Sequence, residues 1–324
     1  MNDELRQEPK SSPPQSQKNS SIWRWVLTVI AVALFAYQFS RQDFRETFSI
    51  IRELPIGTIL TTIFLMFGSR IAVAARWNAL LKINDPKPRF KEILRITFAG
   101  LFSSNVLPTS IGGDVVRLFM GIQASLEPAY ITSSLIMDRI IGFAGMFLFL
   151  PYGLTLFLRS PENPFVSGAL LVFPMAVVFS DIFKKIWAWI KKFVRKVADS
   201  FRLWLKHPLY LLESLGFTLL HMAFFFTTIW MFLHAMQSDL SIFKIGAIYS
   251  LSYVISLFPL SIGGLGIQEL AISYLFSSLG NIPSESAYAL ALLIRLVFVI
   301  CSLPGVFVLP DLGKIKEKGN HQEN

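Results

Sequence analysis

Leu107-Pro108-Thr109-Ser110-Ile111-Gly112-Gly113 and Phe258-Pro259-Leu260-Ser261-Ile262-Gly263-Gly264 share five identities in seven positions, and the reading of this pair decides the fold. Each copy interrupts an apolar region, 96 to 120 and 242 to 280. A proline lacks an N–H and ends an incoming helix, while paired glycines let the chain turn and begin a second helix whose first N–H groups are free. The surroundings repeat as well. Each half reads span, span, broken segment, span, and the last span carries Arg139 or Arg295, 31 to 36 residues past its proline.

The solvent of this fold is lipid. Apolar residues make up 53% of the 324 and charged residues only 16%, against roughly 25% charge in an ordinary soluble domain. Runs long enough to cross a bilayer lie near 22–39, 54–75, 129–150, 209–236 and 286–309, with a shorter one near 165–183. Residues 1–20 are too poor in apolar side chains to offset the entropy of ordering and are expected to form a disordered tail. The run 22–39 starts too late and is too long for a cleaved signal peptide, so it is expected to stay as an anchor.

Charge sets the orientation. Of the 30 Lys and Arg residues, 21 fall in segments 1–24, 76–95, 181–206 and the tail 311–324, which places these segments and both termini in the cytoplasm. Two full spans separate the first two inside loops, so region 96–120 crosses an even number of times, and the same parity holds for 242–280. The expected fold is an all-α polytopic membrane protein with six full spans and two re-entrant hairpins, or eight or more helices. The hairpins enter from opposite sides as an inverted repeat with halves of about 22–160 and 165–310. Within Asp181–Lys206, apolar residues from Phe183 to Trp204 recur at helical spacing and lysines cover the other faces, as in an interfacial amphipathic helix.

Broken, Gly/Pro-interrupted segments at matching places in two halves mark the binding site of a transporter. A helix start beside Ser110 or Ser261, with Gly112, Gly113, Gly263 and Gly264 freeing the backbone, suits an anion such as a lipid phosphate; close helix packing alone is the competing explanation of the glycines. Ionisable groups inside spans cost roughly 2.5–3.5 kcal/mol each on insertion scales, so Asp138, Arg139 and Arg295 are expected to face the bundle interior. Adjacent positions point apart on a helix, so Asp138 and Arg139 should find partners on other helices. Asp114 and Arg117, three residues apart, are placed to pair, Glu269 occupies the comparable stretch of the second hairpin, and Arg70 is close enough to a span end to snorkel to the interface. These twelve residues, Arg70 excepted, form the candidate headgroup site, with Asp114, Arg117, Asp138, Arg139, Glu269 and Arg295 as its charged members.

Other chemistries lack their motifs. The four histidines show no metal-ligand spacing, no phosphate-binding loop or nucleophile elbow occurs, and a lone Cys301 cannot form an intrachain disulfide. No catalytic residue, metal or cofactor is expected. The net charge of +9 sits in short blocks between apolar runs, which points to anionic headgroups and not to nucleic acid as the counter-charge.

The run Arg76-Trp77-Asn78-Ala79-Leu80-Leu81, the stretch from Leu107 to Arg117, Asp138-Arg139, and the stretch from Pro259 to Glu269 together resemble the lysylphosphatidylglycerol synthase transmembrane-region family, the flippase-like membrane proteins. The resemblance covers about residues 22 to 310. It implies the translocation or handling of polar lipids, aminoacylated phosphatidylglycerol among them, in a bacterial inner membrane. The best-known members carry a soluble aminoacyltransferase domain, which is expected to be absent here, since the chain ends at Asn324. A basic residue often precedes the Glu of the second motif in the family, whereas Gln268 stands here. The expected partners are membrane phospholipids or other polar lipids and a separate lipid-modifying enzyme. Two other readings stay open beside the flippase: a membrane subunit or enzyme of lipid modification, and an assembly scaffold.

Overall fold

The computed structural model describes residues 44–83, 88–106, 112–159, 204–256 and 266–308, all helix and connecting turns, with no strand among them. The helices are α1 (Phe44–Glu53), α2 (Ile56–Leu81), α3 (Phe90–Val106), α4 (Gly112–Gln123), α5 (Pro128–Phe147), α6 (Leu150–Arg159), α7 (Pro208–Ala235), α8 (Ile242–Ser256), α9 (Ile267–Gly280) and α10 (Ser284–Ser302). A 3₁₀ turn, Leu303–Phe307, extends α10. Of the six expected full spans, those near 22–39 and 165–183 lie outside the described residues, as do both tails and most of the amphipathic stretch.

The long helices α2 and α7, of 26 and 28 residues, form the central pair. At about 1.5 Å per residue each exceeds the roughly 30 Å of a hydrocarbon core. They run antiparallel: Ser69 meets His221 at 2.6 Å, the Ser214 hydroxyl donates to the Arg76 carbonyl at 3.2 Å, and Lys82 pairs with Glu213. Their buried faces carry Ser69, Ser214, Thr218 and Thr228, while Leu60, Phe64 and Leu212 are more than 60% exposed. Polar side chains inside and apolar ones outside suit lipid as the surrounding solvent. Three helices, α2, α7 and α10 with its 3₁₀ extension, are each long and apolar enough to cross a membrane.

The expected span 129–150 is not one straight helix. The chain bends by 48° between α5 and α6. Pro151 explains the break, since it donates no hydrogen bond and its ring crowds the carbonyl of Phe147 four residues earlier. The helix that enters the first interrupted region starts before that region's apolar boundary at 96, because α3 begins at Phe90 and includes Lys91, Glu92 and Arg95. Charge hides the helix start from an apolar-run reading but does not prevent helix formation.

Both interrupted regions fold as a pair of helices in contact, α3 with α4 and α8 with α9, joined by the repeated motif. In the first pair the backbones approach at Gly100 and Gly113: a Cβ on Gly113 would stand 2.0 Å from the Ser104 hydroxyl and 2.4 Å from the Gly100 carbonyl. In the second, Gly266 precedes α9 at φ 81°, in the region that favours glycine. Its N–H donates to Glu269 at 2.8 Å, closing the helix start. The end of the amphipathic stretch is described from Trp204, which is buried against Tyr130 and donates to the Leu80 carbonyl at 3.3 Å.

Candidate functional site

A cavity of about 350 Å³ opens between α2, α4, α5, α7 and α8. Its charged lining is Arg70, Arg76, Arg117, Arg139, Asp114 and Asp138. Asp138, 1% exposed, accepts from Arg76 Nε at 2.6 Å and from Arg117 Nη2 at 3.0 Å. Arg117 reaches on to Asp114 at 3.3 Å, and Arg139 Nε donates to the other Asp114 oxygen at 2.5 Å. The result is a continuous chain of alternating charge, Arg76–Asp138–Arg117–Asp114–Arg139, drawn from three helices, α2, α4 and α5.

Each member is placed by local structure. Asp114 is the third residue of α4, where a carboxylate faces the positive end of the helix dipole. Arg117 lies one turn further on, with its guanidinium 4.1 Å above the Trp77 ring. Trp77 is held in turn by a hydrogen bond from its indole N–H to the Ser134 hydroxyl at 3.0 Å. Gly142 leaves room for Arg76, since a Cβ there would meet Arg76 Nη1 at 3.0 Å. Asp138 and Arg139 point apart as expected, each to another helix, and the Arg139 side chain keeps 44% of its surface exposed.

The expected site residues do not all come together. Arg295, on α10, pairs with Glu269 in a separate small crevice beside the cavity. Glu269 is 5% exposed and is also used by the start of α9. Gly113 serves the α3–α4 contact. Ser110, Ser261, Gly263 and Gly264 lie outside the described residues, while Gly112 is buried at the start of α4.

Arg70 departs from the snorkelling expectation. Its guanidinium is turned into the cavity, 4.3 Å above the Phe298 ring, and its Nε is buried without a hydrogen-bond partner among the described residues. The aromatic face below it offers a local attraction that a path to the interface would forgo. Arg76 is the main residue that sequence reasoning missed. Its membership in the 76–95 basic block made it look like a loop charge, and the one sign of another role was its place in the Arg76–Leu81 run of the resemblance. Tyr249, Tyr253, His221, Ser256 and Gln268 are the uncharged polar lining, with Gln268 donating to the Tyr249 hydroxyl at 3.5 Å.

The profile of the lysylphosphatidylglycerol synthase TM region matches residues 23–305. The chain belongs to this family. It is similar to a UPF0104 membrane protein of Pyrococcus horikoshii, 23% identical over 329 aligned positions that cover 89% of this chain and 97% of the relative. A UPF0104 membrane protein of Methanothermobacter thermautotrophicus is likewise 23% identical, covering 90% and 97%. As a member of the lysylphosphatidylglycerol synthase TM family this is a multi-pass membrane protein, and the charge-lined cavity lies among its apolar helices.

Proposed function

We propose that this protein translocates or handles a polar phospholipid between the two leaflets of a bacterial inner membrane. In this reading both termini are cytoplasmic and the α3–α4 and α8–α9 pairs are re-entrant hairpins entering from opposite sides. The observation that carries the proposal is the alternating charge chain lining a cavity among lipid-facing helices. Charges at membrane depth are costly and are typical of substrate pathways.

Arg139 is the exposed end of that chain. Headgroup movement of fluorescent or aminoacylated phospholipids in proteoliposomes tests its role, with folding checked by thermal melting in detergent. Arg139→Gln is expected to slow movement by about tenfold or more, the loss of one charge-assisted hydrogen bond. Arg295→Gln is expected to slow it through the displaced start of α9. Unchanged movement in both well-folded variants would reduce these arginines to structural ion pairs. A flat wild-type signal with every phospholipid would favour the lipid-modification subunit, a role compatible with the family's name.

A further inference from the structure

The cavity holds more positive than negative charge. Four arginines and two aspartates line it, a surplus of two among the described residues. Glu269, in the adjoining crevice, is matched by Arg295 and leaves the balance unchanged. The aspartates are already committed, Asp138 to Arg76 and Arg117, Asp114 to Arg117 and Arg139. Arg70 has no carboxylate on it among the described residues, only the Phe298 ring and a buried, unbonded Nε. A desolvated guanidinium held in this way is short of an anion.

A second, apolar crevice of about 190 Å³ lies beside the cavity at the α5–α6 bend. Met146 and Tyr253 line both spaces, and the Phe143 and Tyr253 rings of the crevice wall pack with centroids 6.0 Å apart. An anion-deficient charged cavity beside a mainly apolar crevice fits an amphiphile with a charged head and a hydrocarbon chain.

We infer that the cavity selects lipids with a net anionic phosphate headgroup over aminoacylated ones, with Arg70 as the residue that binds the phosphate and the α5–α6 crevice receiving the start of an acyl chain. The inference rests on the lipid-handling reading and narrows it. A lysyl ester carries two ammonium groups that outweigh its single phosphate, and the cavity has no uncommitted carboxylate among the described residues to receive them.

The test is binding by the full chain in a neutral detergent, read as the shift of its melting temperature against ligand concentration. The probes are short-chain phosphatidate, phosphatidylglycerol, lysyl-phosphatidylglycerol and inorganic phosphate. Phosphatidate and phosphatidylglycerol are expected to bind about tenfold more tightly than the lysyl ester and than inorganic phosphate, about 1.4 kcal/mol. Arg70→Gln should abolish that preference and Arg70→Lys should keep part of it. Equal binding of the lysyl ester would overturn the selectivity, and inorganic phosphate binding as well as the lipids would reassign the cavity to a free ion. An unchanged preference in Arg70→Gln would remove Arg70 from the site. If that variant fails to fold, Arg70→Lys and the wild-type ranking still decide. The two proposals fail separately: an anionic preference in detergent without any lipid movement overturns transport and upholds this site, while movement of the lysyl ester as fast as of phosphatidylglycerol overturns the selectivity and upholds transport.

Discussion

Asp138 holds two arginines at once in a place that water scarcely reaches. The desolvation of three charged groups is tolerable only while their geometry is kept, and removing one partner leaves uncompensated charge behind. Asp138→Asn is therefore expected to cost about 3–5 kcal/mol of stability. Asp114→Asn should cost less, because the Asp114 side chain is 18% exposed and solvent can replace part of what it gives. Unfolding of the two variants beside wild type, in mixed detergent micelles, measures both, and equal losses would contradict this ranking. At this scale the sequence was informative about Asp138 and silent about its partners. A charge in the middle of an apolar run announces its own burial. Arg76 sits where a run meets a basic block, and a hydropathy profile gives the same signal whether such a side chain points to headgroups or into the bundle.

The broken segments show what an element reading can and cannot reach. Proline and paired glycine in 107–113 and 258–264 place a helix break in each interrupted region, and the described helices on either side end and begin around those motifs. The reason for each glycine was not legible, because a turn and a close helix contact demand the same residue. Gly113 belongs to the second class, as its missing Cβ is where Ser104 and the Gly100 carbonyl pack. Gly113→Ala is expected to destabilise by about 1–3 kcal/mol, since the Gly100 carbonyl is backbone and cannot swing away. Gly216→Ala, on α7 with nothing within 4 Å of the added Cβ, should instead gain roughly 0.5–1 kcal/mol from helix entropy. Melting temperatures that move in the same direction for both would show that the α3–α4 contact is looser than described.

Among the described residues, four helices of each half follow in the same order with similar lengths: 26 and 28 residues in α2 and α7, 17 and 15 in α3 and α8, 12 and 14 in α4 and α9, 20 and 19 in α5 and α10. In each half the third residue of the helix after the break is acidic and pairs with an arginine of the next helix, Asp114 with Arg139 and Glu269 with Arg295. Aligning the motifs on their glycine pairs conceals this, because α4 starts at Gly112 whereas α9 starts three residues after Gly264. A local match in sequence finds the break but not the register of the helix behind it. The opposite orientation of the halves rests on basic residues and parity, and it carries a direct test. Lys91, at the start of α3, and Asp239, between α7 and α8, are both exposed and begin equivalent broken segments. If the halves are inverted, a cysteine at Lys91 faces the cytoplasm and one at Asp239 the opposite side. In a Cys301→Ser background and intact cells, an impermeant maleimide is expected to label Asp239→Cys alone, and a permeant one both. Labelling of both positions by the impermeant reagent would place the two segments on one side and make the repeat parallel, with the α4 and α9 helix starts serving the same leaflet.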